Sequence, residues 1–228
     1  MTFSRASRKV IAIGRNYVEH VKELHNAVPA TPFFFLKPPS SIIPPKSTLR
    51  IPQGVHAHHE VELALIIGHR ATDIPNDMDA AMSVIAGYAV AIDVTARNVQ
   101  DDAKKKGLPW TIAKGFDTFL PMSSFIPKSS IPDPHNAVLK LTVNHESRQN
   151  DSTNLMIFKI PKLLSYISGI MSLEPDDVVL TGTPKGVGRI VHGDVMRASI
   201  HVDGDNIKQG NIEIMVQDRV GGYHYVSK

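Results

Sequence analysis

Cysteine is missing from all 228 residues, so no disulfide braces this chain and no thiolate can hold a metal; any bound ion must be held by oxygen or imidazole. Long apolar runs are missing too. No stretch approaches the roughly 18 residues of a membrane span, and the opening segment has no apolar heart of a secretory signal, so a soluble protein with no membrane partner is expected. Residues 2–9 (TFSRASRK) lack acids, as organelle presequences do, but the core pattern starts at Val10 and leaves room for only a very short one. Mitochondrial and cytoplasmic locations both stay open. Runs of like charge are scarce: Lys104 to Lys106 is one, and Asp101 and Asp102 precede it. That is the pattern of a solvated helix face, and with aromatics at only 6% it gives little stacking surface, so the net charge of +3 does not imply a nucleic-acid partner.

What is present is enough for one sizeable core. The hydrophobic fraction is 42%, and no linker, repeat or low-complexity tract divides the chain. One domain over 1–228 is expected, with its core at about 10–216. Val10 to Ile13 reads as a short strand ending at Gly14. Asn16 can cap a following helix, with Glu19 as its capping-box partner, that runs to about Asn26; its apolar positions Tyr17, Val21 and Leu24 are sparse, so it packs lightly and can move. Prolines after Phe33 to Leu36 suggest an ordered, irregular stretch. Strands are expected at Tyr88 to Val94, Val138 to Val143, Val178 to Leu180, Val195 to Val202 and Ile212 to Val216. Helices are expected from Thr95, as cap, to about Lys106, with Asp101 and Lys105 paired, and at about Ile157 to Met171. The order is β-rich α+β, without the alternation of a doubly wound sheet or a TIM barrel.

The most informative segment is HAHHEVELALII at 56–67. Glu60 and Glu62 are two apart in an apolar strand, so both carboxylates leave one face while Val61, Leu63, Leu65 and Ile67 line the other. Like charges there persist if one is protonated or if a cation lies between them. Asp93, at the end of the buried run YAVAIDV, shares a face with the small Ala89 and Ala91. Three hard oxygens suit Mg²⁺ or Mn²⁺; the alternative is a solvated sheet edge. His56, His58 and His59 nearby read as supporting or structural residues rather than zinc ligands. His20 and Glu23 share a helix face, as an oriented base or a surface ion pair. Arg97 and Gln100 look out from one side of their helix, and Lys114 is either a snorkelling strand lysine or a cation for an anionic ligand. TGTPKGVG at 181–188 lacks Walker-loop spacing but can offer backbone N–H groups and the Thr183 hydroxyl to an anion.

Taken together, GRNYVEH (14–20), HHEVELALIIG (58–68), IDVTARNVQ (92–100), KKKGLPWTIAKGFD (104–117) and DDVVLTGTPKGVG (176–188) resemble the fumarylacetoacetate hydrolase family, in the order and spacing of its small acylpyruvase/oxaloacetate decarboxylase branch. The resemblance implies a mixed β-sandwich or β-roll of that family's C-terminal-domain type, with a short N-terminal lid helix and a homodimer. It implies Mg²⁺ or Mn²⁺ on Glu60, Glu62 and Asp93. It makes His20, Glu23 and Lys114 catalytic and gives substrate binding to Arg15, Arg97, Gln100 and Thr183. The implied activity is C–C hydrolysis of acylpyruvates such as acetylpyruvate and fumarylpyruvate to pyruvate, decarboxylation of oxaloacetate, or both. An isomerase or hydratase of a related 2-oxo-dienoate, and an inactive metal-binding relative, are the alternatives.

Overall fold

The computed structural model describes residues 7–25 and 27–227. Its first half runs β1 (Val10–Gly14), α1 (Val18–Glu23), β2 (Phe33–Lys37), β3 (Ile42–Ile43), β4 (Thr48–Ile51), β5 (Ala57–His59), β6 (Val61–Ile67), α2 (Met78–Val84) and β7 (Ile85–Ile92). Then come β8 (Thr95–Ala96), α3 (Arg97–Lys105), α4 (Thr111–Lys114), β9 (Leu120–Pro121), β10 (Ile126–Pro127), β11 (Val138–Val143) and β12 (Glu146–Ser152). The chain closes with α5 (Ile160–Ser168), β13 (Val178–Leu180), β14 (Gly188–Arg189), β15 (Val195–Val202), β16 (Asp205–Asn206) and β17 (Ile212–Asp218).

One sheet has the order β10-β7-β6-β13-β1-β2; the other runs β12-β11-β15-β17-β4, with β16 on β15. Two small sheets, β14-β5-β8 and β3-β9, fill the corners. This is the β-rich, multi-sheet architecture that the sequence implies. The central strand β6 is buried on both faces, and its period of two sorts the side chains as the sequence pattern predicts. Val61, Leu63, Leu65 and Ile67 enter the large core shared with Leu139, Leu141 and Ile200. Ala64 and Ile66 face the other way, into a smaller cluster with Ala12, Ala89, Ala91 and Leu180. Each fully buried aliphatic chain of this kind stabilises the fold by about 1.5–3 kcal/mol.

Strand polarity decides where the chemistry gathers. β1 and β13 are parallel, and β13 is antiparallel to β6, which is antiparallel to β7. The C-terminal ends of β1, β13 and β7 therefore lie at one edge, together with the N-terminal end of β6. The register places Ile92 opposite Val61, and Asp93 N donates to Glu60 O at 2.8 Å. Thr181 N in turn reaches Leu63 O. Four neighbouring strands thus empty their terminal residues into one place.

Several local expectations give way to tertiary bonding. Asn16 does not cap α1: it is fully buried, donates through Nδ2 to Thr181 O (2.8 Å) and Phe158 O (3.0 Å), and accepts from Phe158 N at 2.7 Å. Buried backbone groups there need it more than a solvated helix end does. Glu19 pairs with Lys22 rather than closing a capping box. α1 stops at Glu23 because His25 turns left-handed at φ 52°, short of Asn26, which lies outside the described residues. Thr95 likewise spends its hydroxyl on Glu60 Oε1 (2.9 Å), leaving α3 to begin at Arg97 without a side-chain cap. Asp101 faces Lys104, three residues on, at 3.7 Å rather than Lys105. α5 starts only at Ile160, where Pro161 fits the first turn. Lys114 ends a four-residue helix, so it is not a strand lysine.

Candidate active site

Glu60 lies in the break between β5 and β6, Glu62 is the second residue of β6, and Asp93 is the first residue past β7. All three are buried, and one oxygen from each lies within 4.8 Å of the others. Among the described residues this is the cluster of acidic or imidazole side chains able to hold an ion; none of the histidines at 56, 58 and 59 joins it. His59 is buried and bonded through Nδ1 to Gln149 (3.1 Å), while burial, then Arg97, pushes His58 down to about 4. The Gln149 bond ties His59 into the structure.

The acids do not stand alone. Lys114 Nζ contacts Glu60 Oε2 at 3.0 Å and Asp93 Oδ2 at 2.6 Å, and Arg97 Nη2 reaches Glu60 Oε1 at 2.5 Å. Burial alone would raise the Glu60 carboxyl, but Lys114 and Arg97 outweigh it and hold it well below the usual carboxylate range. Glu62 goes the other way. Burial, then Asp93 and Glu60, push it well above that range, with only Lys114 and the Gly182 N–H (2.5 Å) opposing. Burial would lower Lys114, yet Asp93 and Glu60 hold it above its ordinary value, so it stays a cation.

The structure adds residues that periodicity did not mark. Lys37, on edge strand β2, is 1% exposed; its Nζ lies 2.8 Å from Asp93 Oδ1 and donates to Val94 O. Lys37 and Lys114 thus pair with the two oxygens of Asp93, and three acids whose oxygens lie within 4.8 Å of one another fit a hard divalent ion. Gln149 on β12 is the second addition: it joins His59, Val61 N, the Thr183 hydroxyl and Pro184 O in one buried knot. A polar residue on an exposed-looking strand (ESRQNDS) carries no sequence signal of such a role. Lys37 had one, a lone lysine closing FFFLK.

His20, on the buried side of α1, holds Glu23 Oε2 at 3.3 Å through Nδ1. Glu23 also accepts from Gly186 N through both oxygens (3.1 and 3.2 Å), which ties α1 to the 181–188 loop. Arg97 donates to Gln100 Oε1 at 2.7 Å, so the pair forms one polar face as its spacing predicts. Thr183 donates its proton to Val61 O at 2.8 Å; toward a ligand it offers only lone pairs. Gly182, at φ +94°, and Gly186, at φ +90°, are glycines this loop requires, since a Cβ would sit 2.7 Å from Asn16 Cβ at the first and 2.0 Å from Arg148 O at the second. Arg15, His20, Arg97, Gln100, Lys114 and Thr183 all line one pocket with the three acids, and Glu23 stands behind His20. Its free space is small, about 30 Å³.

Comparison with known proteins follows this geometry. The family model for the C-terminal part of fumarylacetoacetate (FAA) hydrolase matches residues 9–217. The chain is 54% identical over 199 residues to a mitochondrial oxaloacetate tautomerase of Schizosaccharomyces pombe, covering 86% of this chain and 90% of that one. It is 48% identical over 200 residues to a mitochondrial oxaloacetate decarboxylase of Dictyostelium discoideum, covering 87% and 91%. In structure it resembles the fumarylpyruvate hydrolase of Pseudomonas aeruginosa, crystallised with Mn²⁺ and pyruvate, at TM-score 0.84 and 34% identity over 93% of this chain and 91% of that one.

Proposed function

The chain belongs to the fumarylacetoacetate hydrolase family, and from that premise we propose that it is a Mg²⁺- or Mn²⁺-dependent enzyme that interconverts the keto and enol forms of oxaloacetate. The observation that carries this reading is the buried meeting of Glu60, Glu62 and Asp93 beside the cation Lys114, in one pocket with His20. The relatives named for oxaloacetate chemistry and the neighbour holding Mn²⁺ and pyruvate support it. Bound by the three acids, the ion would supply Lewis acidity to the carboxylate and keto oxygens of a 2-oxo acid. Lys114 then places a positive charge where the keto oxygen gains negative charge on losing the neighbouring C–H proton. His20, steadied by Glu23, removes that proton and returns it. Arg97, bonded to both Glu60 and Gln100, stands beside the metal-binding end of the substrate.

Acylpyruvate hydrolysis, foremost in the sequence resemblance, becomes the second reading. The His20–Glu23 pair favours it, because an oriented imidazole can also deprotonate an attacking water. Decarboxylation of oxaloacetate shares the same charge development. A homodimer and a mitochondrial location remain part of the proposal; the relatives above are mitochondrial by name. Edge strand β2 and the exposed Leu36, Leu108 and Ile112 support a second copy as partner.

The test follows enol absorbance after mixing enol-oxaloacetate with enzyme and Mg²⁺, while pyruvate release from oxaloacetate and acetylpyruvate is measured in parallel. We expect the fastest turnover in tautomerisation, its loss with chelator, and a drop of about 10²–10⁴ in H20A. Unaccelerated interconversion alongside brisk pyruvate release from acetylpyruvate would replace this reading with the hydrolase.

A further inference from the structure

We infer that Arg15 and Lys104 form a clamp for the carboxylate at the far end of the substrate, making the pocket selective for 2-oxo acids with two carboxylates. The inference rests on the reading of this pocket as a 2-oxo acid site. It adds a residue, Lys104, and assigns the end of the molecule that the two cations hold.

Both side chains line the same pocket as the acidic trio. Arg15 follows β1 in the left-handed region at φ 57°, an uncommon setting for a residue with a Cβ, and its guanidinium lies 5.6 Å from the Phe33 ring centroid. Lys104, near the end of α3, sets its ammonium 5.5 Å from the Trp110 ring centroid. The two rings meet edge to face with centroids 5.7 Å apart, so one aromatic ledge carries both cations. Phe33 pairs with Gly14 in the strand register, which keeps this ledge at the edge where the four strands end.

The deeper cations are already committed: Lys114 and Arg97 to Glu60, Lys114 and Lys37 to Asp93. Arg15 has no carboxylate partner among the described residues, and Lys104 meets only Asp101, at 3.7 Å. Burial, followed by repulsion from Arg97 and Arg15 and only partly offset by Asp101, lowers Lys104 from its ordinary value. Two cations held close on an apolar ledge and short of anions are a receptor for one, on the same logic by which the clustered acids call for a cation. The metal-binding end of a 2-oxo acid is held deeper, among the trio; what remains for the ledge is the opposite end of the molecule. There a second carboxylate meets two positive charges, whereas a methyl group leaves them unmet.

The test uses a pair of unreactive probes with one skeleton: malate, which carries the far carboxylate, and 2-hydroxybutyrate, which carries a methyl in its place. Dissociation constants are measured by calorimetry on Mn²⁺-loaded wild type, R15M and K104M, with oxalate, which has no far end, as control. Wild type should prefer malate by roughly tenfold or more, the scale of a charge-assisted contact, and each variant should erase most of that ratio. K104M alters a partly exposed surface lysine, so it keeps the test open should R15M fold poorly. Equal ratios in all three proteins, with oxalate still binding, would overturn the clamp and leave the 2-oxo acid site standing. Failure of oxalate to bind wild type would overturn the site itself.

Discussion

Replacing Asn16 by alanine should cost this protein several kcal/mol, though the residue lies outside the acidic cluster. Its amide group closes three hydrogen bonds at once, between the end of β1, the start of the 181–188 loop and the segment before α5. Thr181 O is fully enclosed, so losing its donor costs about 1–3 kcal/mol. The two Phe158 groups are partly reachable by water and should lose about 0.5–1.5 kcal/mol each. The sum centres on about 4 kcal/mol, which for a chain of this length lowers Tm by about 8–16 °C. N16D separates the contributions, because a carboxylate can still accept from Phe158 N but cannot donate to either carbonyl. Urea unfolding followed by circular dichroism gives both numbers. A loss below about 1 kcal/mol in N16A, or N16D as stable as wild type, would show that the three bonds are readily replaced by water and that the interpretation is wrong.

Gly182→Ala should destabilise by about 2 kcal/mol or more, because φ +94° and a 2.7 Å approach to Asn16 Cβ both oppose a side chain; a Tm within a degree of wild type would contradict this. Glu62→Gln should weaken Mn²⁺ binding by at least about tenfold in calorimetry, while the metal-free protein melts no lower, since burial and the neighbouring acids already favour a neutral Glu62 and an amide oxygen can still accept from Gly182 N. Unchanged affinity would remove Glu62 from the metal site. His135 accepts the Ile160 N–H at the start of α5 through Nε2 at 3.1 Å, and burial, then Lys159, lower its pKa from 6.5. The unfolded chain therefore binds a proton that the folded one resists, and this contribution is complete above about pH 6.5 and lost as pH falls through the lower folded value. Wild type should lose more Tm than H135Q between about pH 8 and pH 5; parallel curves would rule the residue out. In K104M the ratio of oxaloacetate decarboxylation to tautomerisation should rise, because the clamp stabilises the very carboxylate charge that leaving as CO₂ discharges; a ratio that falls would count against the clamp.

The acidic trio was legible because carboxylates inside apolar strands are costly and therefore few. Glu60, Glu62 and Asp93 break patterns that are otherwise uninterrupted, and strand alternation assigns their face. The 3.6 and 2.0 periods also located β6, β7, β11, β15 and β17, because those elements are decided by which side meets the core. Asn16 and Thr95 were misplaced for the opposite reason. Each has a good local use as a helix cap, and only the packing of residues 142 and 35 positions away offers a better one. Lys37 and Gln149 gave no periodic signal at all: a lysine at a strand end and a glutamine in a polar strand look solvated until the fold closes over them.

Under the proposed reading, the three activities differ in what they ask of this pocket. Hydrolysis needs a water placed beside the substrate as a second reactant. Decarboxylation must release a carboxylate from its counter-charges, and Arg15 and Lys104 add counter-charge where an oxaloacetate would present it. Proton transfer next to the keto group asks for neither. It needs a cationic environment for the keto oxygen, which in the proposed mechanism Lys114 would provide between Glu60 and Asp93, and one group that gives and takes a proton, the role proposed for His20 with its ring held by Glu23. The Glu23 contact to Gly186 binds that group to the loop that also fixes Glu62, so α1 can leave only by breaking a bond to the site it covers.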